Sequence, residues 1–281
     1  MKKILYSMLI FLLILLNFST VCADDVDNEV DFEDTIEVTA SNVSELPKTN
    51  SRRYIVYDRI SKSMIIGKNE DIKSAMASTT KIMTTIVILE KADLNEKVTV
   101  SAKAGGTGGS RLGLKRGDKA SVRDLLYGLM LRSGNDAAVA LAEHVGGSVK
   151  EFAELMNEKA IELGLTNTHF VTPHGLDDAN HYTTALELAK LTDYAMDNET
   201  FAKIVGTKST TIYINNQSRQ INNTNELLGV LNGVVGVKTG FTNNAGRCLV
   251  TETKRNNMED DSIILISSGT SEAEVLPSEL S

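Results

Sequence analysis

The sequence is poor in cysteine, proline and aromatic residues. Its 281 residues include two cysteines, three prolines and no tryptophan, and 5% of them are aromatic. With 42% hydrophobic and 23% charged residues, the composition is globular and excludes collagen-like, low-complexity and wholly disordered proteins. The length allows one large domain or two ordinary ones, and either can bury a sizeable core.

Positive charge is scarce as well. The chain has 29 lysines and arginines against 37 aspartates and glutamates, a net charge of −8, which argues against a general affinity for nucleic acid. Nine of the acidic residues lie between positions 24 and 45, and the chain beyond them is almost neutral. Such an acidic stretch is typical of a solvated leader, so residues 24–50 are expected to be disordered.

The first 23 residues have the pattern of a secretory signal peptide. Lys2 and Lys3 precede an apolar run at residues 4–16, and small residues near positions 21–23 offer a cleavage site. A membrane span needs about 20 apolar residues, so this shorter run favours cleavage over a membrane anchor. We therefore expect an exported protein with residues 1–23 removed, and the sequence leaves its membrane association open.

Removal of the signal peptide would leave one cysteine, Cys248. A protein with a single thiol forms no internal disulfide, so its core must hold without covalent cross-links. Cys248 lies in a β-prone run and is interpreted as a core residue rather than a reactive one.

The predicted elements come in the order strands, helices, strands. Hydrophobic periodicity and β-branched runs indicate a hairpin first, then a helical region, then a return of strands. The predicted strands are at residues 54–57, 64–66, 210–214, 234–238, 246–254 and 262–267, and the predicted helices at 78–94, 121–145, 149–163 and 184–196. This order predicts one α+β domain, residues 51–268, in which an antiparallel sheet built from both chain ends carries an inserted all-helical part.

Ser78 and Lys81 form the first motif with chemical meaning. Three positions apart at a helix start, the two side chains lie on one face. A serine hydroxyl is a weak nucleophile without a neighbouring base, and a lysine whose pKa is lowered by burial or by other cations can be that base. The helix N-terminus adds backbone N–H groups suited to an oxyanion. Alone, the motif also fits an ordinary amphipathic helix.

A second polar segment, Ser133-Gly134-Asn135, interrupts the helical region. Gly134 would break a helix, so the segment fits either a simple turn between helices or one part of an active site. In an active site, Ser133 could relay a proton and the Asn135 amide could hold a substrate carbonyl.

A third segment, Lys238-Thr239-Gly240, ends a β-prone run. A cation and a hydroxyl side by side on a strand suit a substrate carboxylate, and the glycine allows a close approach of the backbone. A nucleotide phosphate loop is excluded because Val237 separates Gly236 from Lys238.

The three motifs together resemble those of the penicilloyl serine transferases, which comprise penicillin-binding proteins and serine β-lactamases. The sequence around these motifs, over about residues 50–268, resembles more closely that of the D-alanyl-D-alanine carboxypeptidases, which are low-molecular-weight penicillin-binding proteins. The segments that carry this likeness are residues 113–118, 125–135, 173–177, 223–225 and 238–242. The resemblance implies a fold like that of β-lactamases and transpeptidases.

The resemblance also implies an acyl-enzyme cycle that releases the terminal D-alanine from peptidoglycan stem peptides ending in D-Ala-D-Ala, without a metal or cofactor. Ser78 would attack with Lys81 as its base, and β-lactam antibiotics would be covalent inhibitors. Ser133 and Asn135 would border the cleft, and Lys238 and Thr239 would bind the terminal carboxylate. Gly240 would let the backbone approach closely. The N–H groups of Ser78 and Phe241 would form the oxyanion hole.

Two other functions stay open at this point. A serine β-lactamase needs a second activated water, typically from a loop glutamate, whereas residues 154–157 lie on a helical pattern. The second alternative is a catalytically silent protein that senses penicillin or binds the cell wall. Residues 269–281 favour it, because they are expected to form a short, truncated tail. The family usually continues there into a β-rich domain and an anchoring helix. A zinc site at His174 and His181 is not expected, because no histidines pair at metal-ligand spacing.

Overall fold

A computed structural model describes residues 50–254 and 262–270 of the chain. The predicted signal peptide, almost all of the acidic leader and the tail beyond residue 270 lie outside the described residues. Among the helices of the described part, none is long and apolar enough to cross a membrane.

The described residues form nine strands and seven α-helices. The strands are β1 (Arg53–Asp58), β2 (Ser63–Lys68), β3 (Lys97–Thr99), β4 (Lys119–Ser121), β5 (Ser209–Ile214), β6 (Gln217–Asn222), β7 (Val234–Thr242), β8 (Gly246–Lys254) and β9 (Ser262–Thr270). The helices are α1 (Lys81–Lys91), α2 (Ala102–Gly106), α3 (Val122–Leu131), α4 (Asn135–Gly146), α5 (Val149–Glu162), α6 (Ala185–Met196) and α7 (Glu199–Val205), and a 3₁₀ turn (Ala77–Thr80) precedes α1.

The main sheet joins the two ends of the described part of the chain. Its five strands lie in the order β2-β1-β9-β8-β7, and all neighbouring pairs are antiparallel. Opposite positions in neighbouring strands share a face, which places Ile55, Ile266 and Val250 together in the core. The predicted α+β fold, with a sheet assembled from both chain ends, is confirmed.

The inserted part differs from the all-helical prediction because it contains a second sheet. Strands β3, β4, β5 and β6 pair in this order. β3 and β4 have three residues each, too few for a period of two to be recognised in the sequence. β6 is exposed at all but one position, so it also lacks the apolar alternation that marks a strand.

Helix α1 is almost entirely buried. Eight of its eleven residues are inaccessible, and it packs against α4, α5, α6 and α7. The sequence pattern predicts a longer helix, at residues 78–94. The α-helix begins later because the 3₁₀ turn occupies the first positions, and no side chain caps it. The stability of such a buried helix comes mainly from its tertiary packing rather than from its caps.

An ion-pair network around the buried Arg59 fixes α6 against the main sheet. Arg59, in the turn between β1 and β2, donates to Asp193 Oδ1 at 2.9 Å, to Glu252 Oε1 at 2.8 Å and to Asp197 Oδ1 at 2.6 Å. Asp193 belongs to α6 and Glu252 to β8. Buried charges are tolerated only when they are paired and hydrogen-bonded, and here the pairs span three separate elements.

Candidate active site

Ser78 lies in the 3₁₀ turn before α1 and is partly exposed. The preceding residue, Ala77, has a φ of +47°, a left-handed conformation that costs a non-glycine residue about 1–3 kcal/mol and must be held by its surroundings. Two buried hydroxyls hold it: Thr79 Oγ1 donates to Met76 O at 2.6 Å, and Thr80 Oγ1 donates to Ala77 O at 2.8 Å.

The amine of Lys81 is surrounded by three oxygen atoms. Nζ donates to Asn135 Oδ1 and to His174 O, each at 2.8 Å, and it lies 2.9 Å from Ser78 Oγ. An amide oxygen and a peptide carbonyl can only accept, so they fix two N–H bonds of the amine. In the neutral amine the remaining tetrahedral position is a lone pair, which then faces Ser78. This geometry can take the proton of the serine hydroxyl.

The electrostatic surroundings of Lys81 favour its neutral form. The side chain is 0% exposed, and this burial lowers the pKa well below that of an ordinary lysine. The nearby Lys238 cation lowers the pKa further, while the Asp136 carboxylate opposes the shift. A general base must be neutral before it can accept a proton, so burial and the second lysine both favour the protonation state that such a base needs.

The predicted break in the helical region separates α3 from α4. Ser133 is buried with a φ of +56°, and Gly134 is the N-cap of α4. The turn directs the Asn135 amide to the lysine amine, and the same amide donates from Nδ2 to Gly108 O at 2.8 Å. Within the described residues, no hydrogen bond joins the Ser133 hydroxyl to Ser78 or to Lys81.

Asp136 belongs to the same site, and the sequence analysis missed it. Its fully buried carboxylate accepts from the N–H groups of Leu112, Gly113 and Leu114 at 2.8–2.9 Å and from Ala137 N at 3.0 Å. These bonds hold a loop against the N-terminus of α4, where the helix dipole also favours a negative charge. Acidic residues are common in a first helical turn, so the residue type alone does not mark Asp136. Its contacts with Leu112, Gly113 and Leu114, more than 20 residues earlier in the chain, show that it holds the loop.

Strand β7 forms the opposite wall of the site. Lys238 is 1% exposed, burial lowers its pKa to about 7, and its Nζ donates to Thr239 O at 2.8 Å. Gly240 passes so close to the 3₁₀ turn that a Cβ atom there would lie 2.9 Å from Ser78 N. The glycine is therefore required by this contact between strand and turn.

Two further residues of β7 lie at the mouth of the site. The Thr239 hydroxyl is 3.0 Å from the hydroxyl of Thr224, and Phe241 is 48% exposed. Thr242 and the backbone of Asn244, just beyond, donate to the carboxylate of Asp177 at 2.6 and 3.4 Å. The end of β7 is thereby tied to the loop that contains His174.

The loop between α5 and α6 supplies an acceptor that sequence reasoning could not assign, because it is a backbone carbonyl. His174 O binds Lys81 Nζ, and Thr84 Oγ1 donates to Pro173 O at 2.7 Å. Burial, followed by the charge of Lys81, lowers the pKa of the His174 ring to about 3, so the ring is neutral and its Nδ1 accepts the N–H of Leu176 at 3.2 Å. The described residues contain no group of three or more His, Cys, Asp or Glu placed to hold a metal ion.

A family model described as D-alanyl-D-alanine carboxypeptidase matches residues 39–268. The match includes all three motifs and most of the chain. This chain belongs to that family.

Individual relatives agree with the family match. The D-alanyl-D-alanine carboxypeptidase DacF of Bacillus subtilis (strain 168) is 37% identical over 216 residues, 75% of this chain and 56% of the relative. The D-alanyl-D-alanine carboxypeptidase of Streptomyces sp. (strain K15) is 41% identical over 206 residues, 67% of this chain and 71% of the relative. The crystal structure of the Streptomyces K15 DD-transpeptidase superposes with a TM-score of 0.76 at 34% identity, covering 82% of this chain and 93% of that one. The chain thus spans little more than half the length of the Bacillus relative.

Residues 154–157, considered above for a β-lactamase, lie on α5 as predicted. Asn157 there uses its amide to hold the backbone of Phe170, donating from Nδ2 to the carbonyl at 2.9 Å and accepting the N–H at 2.8 Å. The segment therefore has a structural role and is not a loop that activates water.

Gly175 is expected to tolerate no side chain. Its φ is +86°, and a Cβ atom there would lie 1.8 Å from Ala77 O and 2.5 Å from Thr80 Oγ1. We expect Gly175→Ala to lower the free energy of unfolding by about 2–5 kcal/mol and to slow the acylation of Ser78 by a β-lactam. Denaturant unfolding and labelling kinetics measure both effects.

Gly164→Ala is the matched control for this substitution. Gly164 has a φ of +70°, and none of the described atoms lies within 4 Å of an added Cβ. It should cost about 1–2 kcal/mol from the backbone conformation alone and leave acylation unchanged. Equal losses in the two variants would contradict a special role for the contact at Gly175.

Proposed function

We propose that the chain is a serine-type D-Ala-D-Ala carboxypeptidase that removes the terminal D-alanine from peptidoglycan stem pentapeptides. The observation that carries this proposal is the Lys81 amine, which Asn135 and His174 orient so that its third position faces Ser78 Oγ at 2.9 Å. A buried lysine in this arrangement suits the role of general base for a serine nucleophile. Family membership supports the substrate class.

In the acylation step, the Ser78 hydroxyl gives its proton to Lys81 Nζ while Oγ attacks the carbonyl carbon of the penultimate D-alanine. The N–H groups of Ser78 and Phe241 would hold the oxyanion, and the close approach of Gly240 to Ser78 N supports this pairing. The C–N bond then breaks, the departing D-alanine amine takes the proton from Lys81, and an ester joins Ser78 to the peptide.

In the deacylation step, water attacks the ester carbonyl, the bond between Ser78 Oγ and the carbonyl carbon breaks, and the shortened peptide leaves with a free carboxyl group. Lys81 accepts the proton of the water and returns it to Ser78 Oγ, and the buried Ser133 would relay protons at the border of the cleft. The Asn135 amide has a second N–H besides the one bonded to Gly108 O. That N–H is available for a carbonyl of the substrate.

The terminal carboxylate of the substrate would bind to Lys238 and Thr239. A bound carboxylate favours the protonated lysine, so it would compensate the burial that lowers the Lys238 pKa to about 7. A β-lactam also carries a carboxylate and would occupy the same place while it acylates Ser78 covalently.

The proposed substrate lies outside the cytoplasm, so the function requires export. Lys2 and Lys3, the apolar run at residues 4–16 and the small residues before position 24 support a signal peptide. The mature protein would then act in the cell wall, either secreted or held near the membrane.

The pH dependence of D-alanine release tests the roles of the two buried lysines. With a diacyl-lysyl-D-Ala-D-Ala peptide and the full chain, kcat/KM should rise with pH as Lys81 loses its proton. It should fall above about pH 7, because Lys238 is cationic only below its pKa of about 7. In Lys238→Arg the alkaline fall should disappear, since a guanidinium stays charged.

A matched substrate separates these roles from a general effect of pH. A peptide that ends in a carboxamide has no charge for Lys238 to bind, so its turnover should be slower. Its kcat/KM should rise with pH as Lys81 loses its proton and should not fall above about pH 7. An alkaline fall retained in Lys238→Arg would contradict the carboxylate role of Lys238. A folded chain that releases no D-alanine at any pH would contradict the proposed function.

Acyl transfer to an amine is a second candidate, because one similar solved structure is named a DD-transpeptidase. The same Ser78 ester would then be attacked by an amine in place of water. Adding glycine or a D-amino acid to the assay distinguishes the two, since transfer gives a peptide of higher mass than hydrolysis does.

A further inference from the structure

His181 is a buried residue to which the proposed mechanism gives no role. Its Nδ1 accepts from the N–H groups of Val171 at 3.0 Å and Thr172 at 3.4 Å. Since both partners are donors, Nδ1 carries no proton, and the neutral ring has its proton on Nε2. Burial lowers the pKa of His181 to about 4, which supports the neutral ring.

The Nε2–H of His181 leads into the nucleophile turn. Nε2 lies 2.8 Å from Thr80 Oγ1, and that hydroxyl donates to Ala77 O at 2.8 Å. A hydroxyl has one proton to give, so the Thr80 hydroxyl must accept from His181. Two hydrogen bonds of fixed direction thus join the imidazole to the strained carbonyl immediately before Ser78.

The Nδ1 side of the His181 ring holds the backbone of residues 171–174, which binds Lys81. His181 Nδ1 binds the N–H groups of Val171 and Thr172. Two residues after Thr172, His174 O accepts a hydrogen bond from Lys81 Nζ at 2.8 Å. One imidazole therefore contacts both the turn that carries the nucleophile and the loop that orients its base.

We propose that His181 is a positioning residue that fixes Ser78 Oγ and Lys81 Nζ relative to each other, through Thr80 on one side and the backbone of residues 171–174 on the other. The inference rests on the proposed function, because it concerns the distance over which the proton moves. His181 acts through other groups and not on the substrate. Misplacement of reacting groups by about 1 Å can cost about 100-fold in rate.

Thr80→Val removes the link while keeping the shape of the side chain. The second-order rate of acylation by penicillin, followed by intact mass on the full chain, should fall by about 10- to 100-fold. Thr80→Ser restores the hydroxyl and should return the rate to within about threefold of the parent. A purely structural role would lower the melting temperature of Thr80→Val without this loss and recovery of rate.

Thr192→Val is the matched control. Thr192 is a buried threonine in α6 whose Oγ1 donates to Leu188 O at 2.7 Å, so this substitution also removes a buried hydroxyl from a backbone acceptor. It should lower the melting temperature and leave the acylation rate within about threefold of the parent. Equal slowing in Thr80→Val and Thr192→Val would overturn the proposal.

His181→Asn tests the imidazole itself and decides the matter if Thr80→Val does not fold. The asparagine oxygen can still accept from Val171, but no donor reaches Thr80, so acylation should again be slowed. If a folded Thr80→Val or His181→Asn variant were acylated at the rate of the parent chain, the positioning role of His181 would be overturned and the proposed function would stand. A folded parent chain that does not react with penicillin would overturn the proposed function and, with it, this inference.

Discussion

A Ser78→Ala variant will form no penicilloyl adduct and will release no D-alanine. The substitution removes the hydroxyl oxygen that lies 2.9 Å from Lys81 Nζ, in the turn that β7 approaches at Gly240. Alanine fits the partly exposed position without strain, so the fold should be retained. Intact mass after incubation with penicillin and an assay of released D-alanine measure the two losses.

Ser63→Ala is a suitable control for this variant. Ser63 is an exposed serine at the start of β2, on the other edge of the main sheet from β7. It should label and turn over like the parent chain. A Ser78→Ala variant that still gains the mass of a penicilloyl group would show that another residue is the nucleophile.

Lys81→Met should slow acylation by roughly 10²- to 10⁴-fold, the usual contribution of a general base. Methionine has nearly the length of lysine and fills a fully buried position, but it cannot take the proton of Ser78. Asn135 Oδ1 and His174 O each lose a hydrogen-bond donor, so some loss of stability is expected too. Labelling kinetics, with the melting temperature measured alongside, check the prediction.

Two further lysine variants separate proton transfer from charge. Lys81→Arg keeps a cation that cannot act as a base, and it should be as slow as Lys81→Met. Lys159→Met removes a lysine whose Nζ binds Glu90 at 2.8 Å and Glu162 at 2.7 Å, and it should leave acylation unchanged. A rapidly acylated Lys81→Arg variant would mean that Lys81 supplies only charge.

The strands of the main sheet and the candidate motifs could be located in the sequence because their signals are local. The hairpin of β1 and β2 and the later strands β7, β8 and β9 follow from β-branched runs, and the break at Gly134 follows from the loss of helical pattern. Ser78 and Lys81 were expected on one face from their spacing, and they lie within hydrogen-bonding distance.

The parts that the sequence did not reveal depend on contacts between distant segments. The His174 contact with Lys81 uses a backbone carbonyl, which any residue type would supply. Asp136 is distinguished only by the three loop N–H groups that it accepts, and His181 only by Thr80, 101 residues away. The second sheet was missed because its two shortest strands, β3 and β4, have three residues each.

The assignment of Ser78 as the nucleophile is tested most directly by treating the purified full chain with penicillin, mapping the modified peptide by mass spectrometry and assaying D-alanine release before and after treatment. We expect one penicilloyl group per chain, on the peptide that contains Ser78, and D-alanine release that the treatment abolishes. A folded chain that takes up no penicillin, or that is modified at another residue, would contradict the assignment.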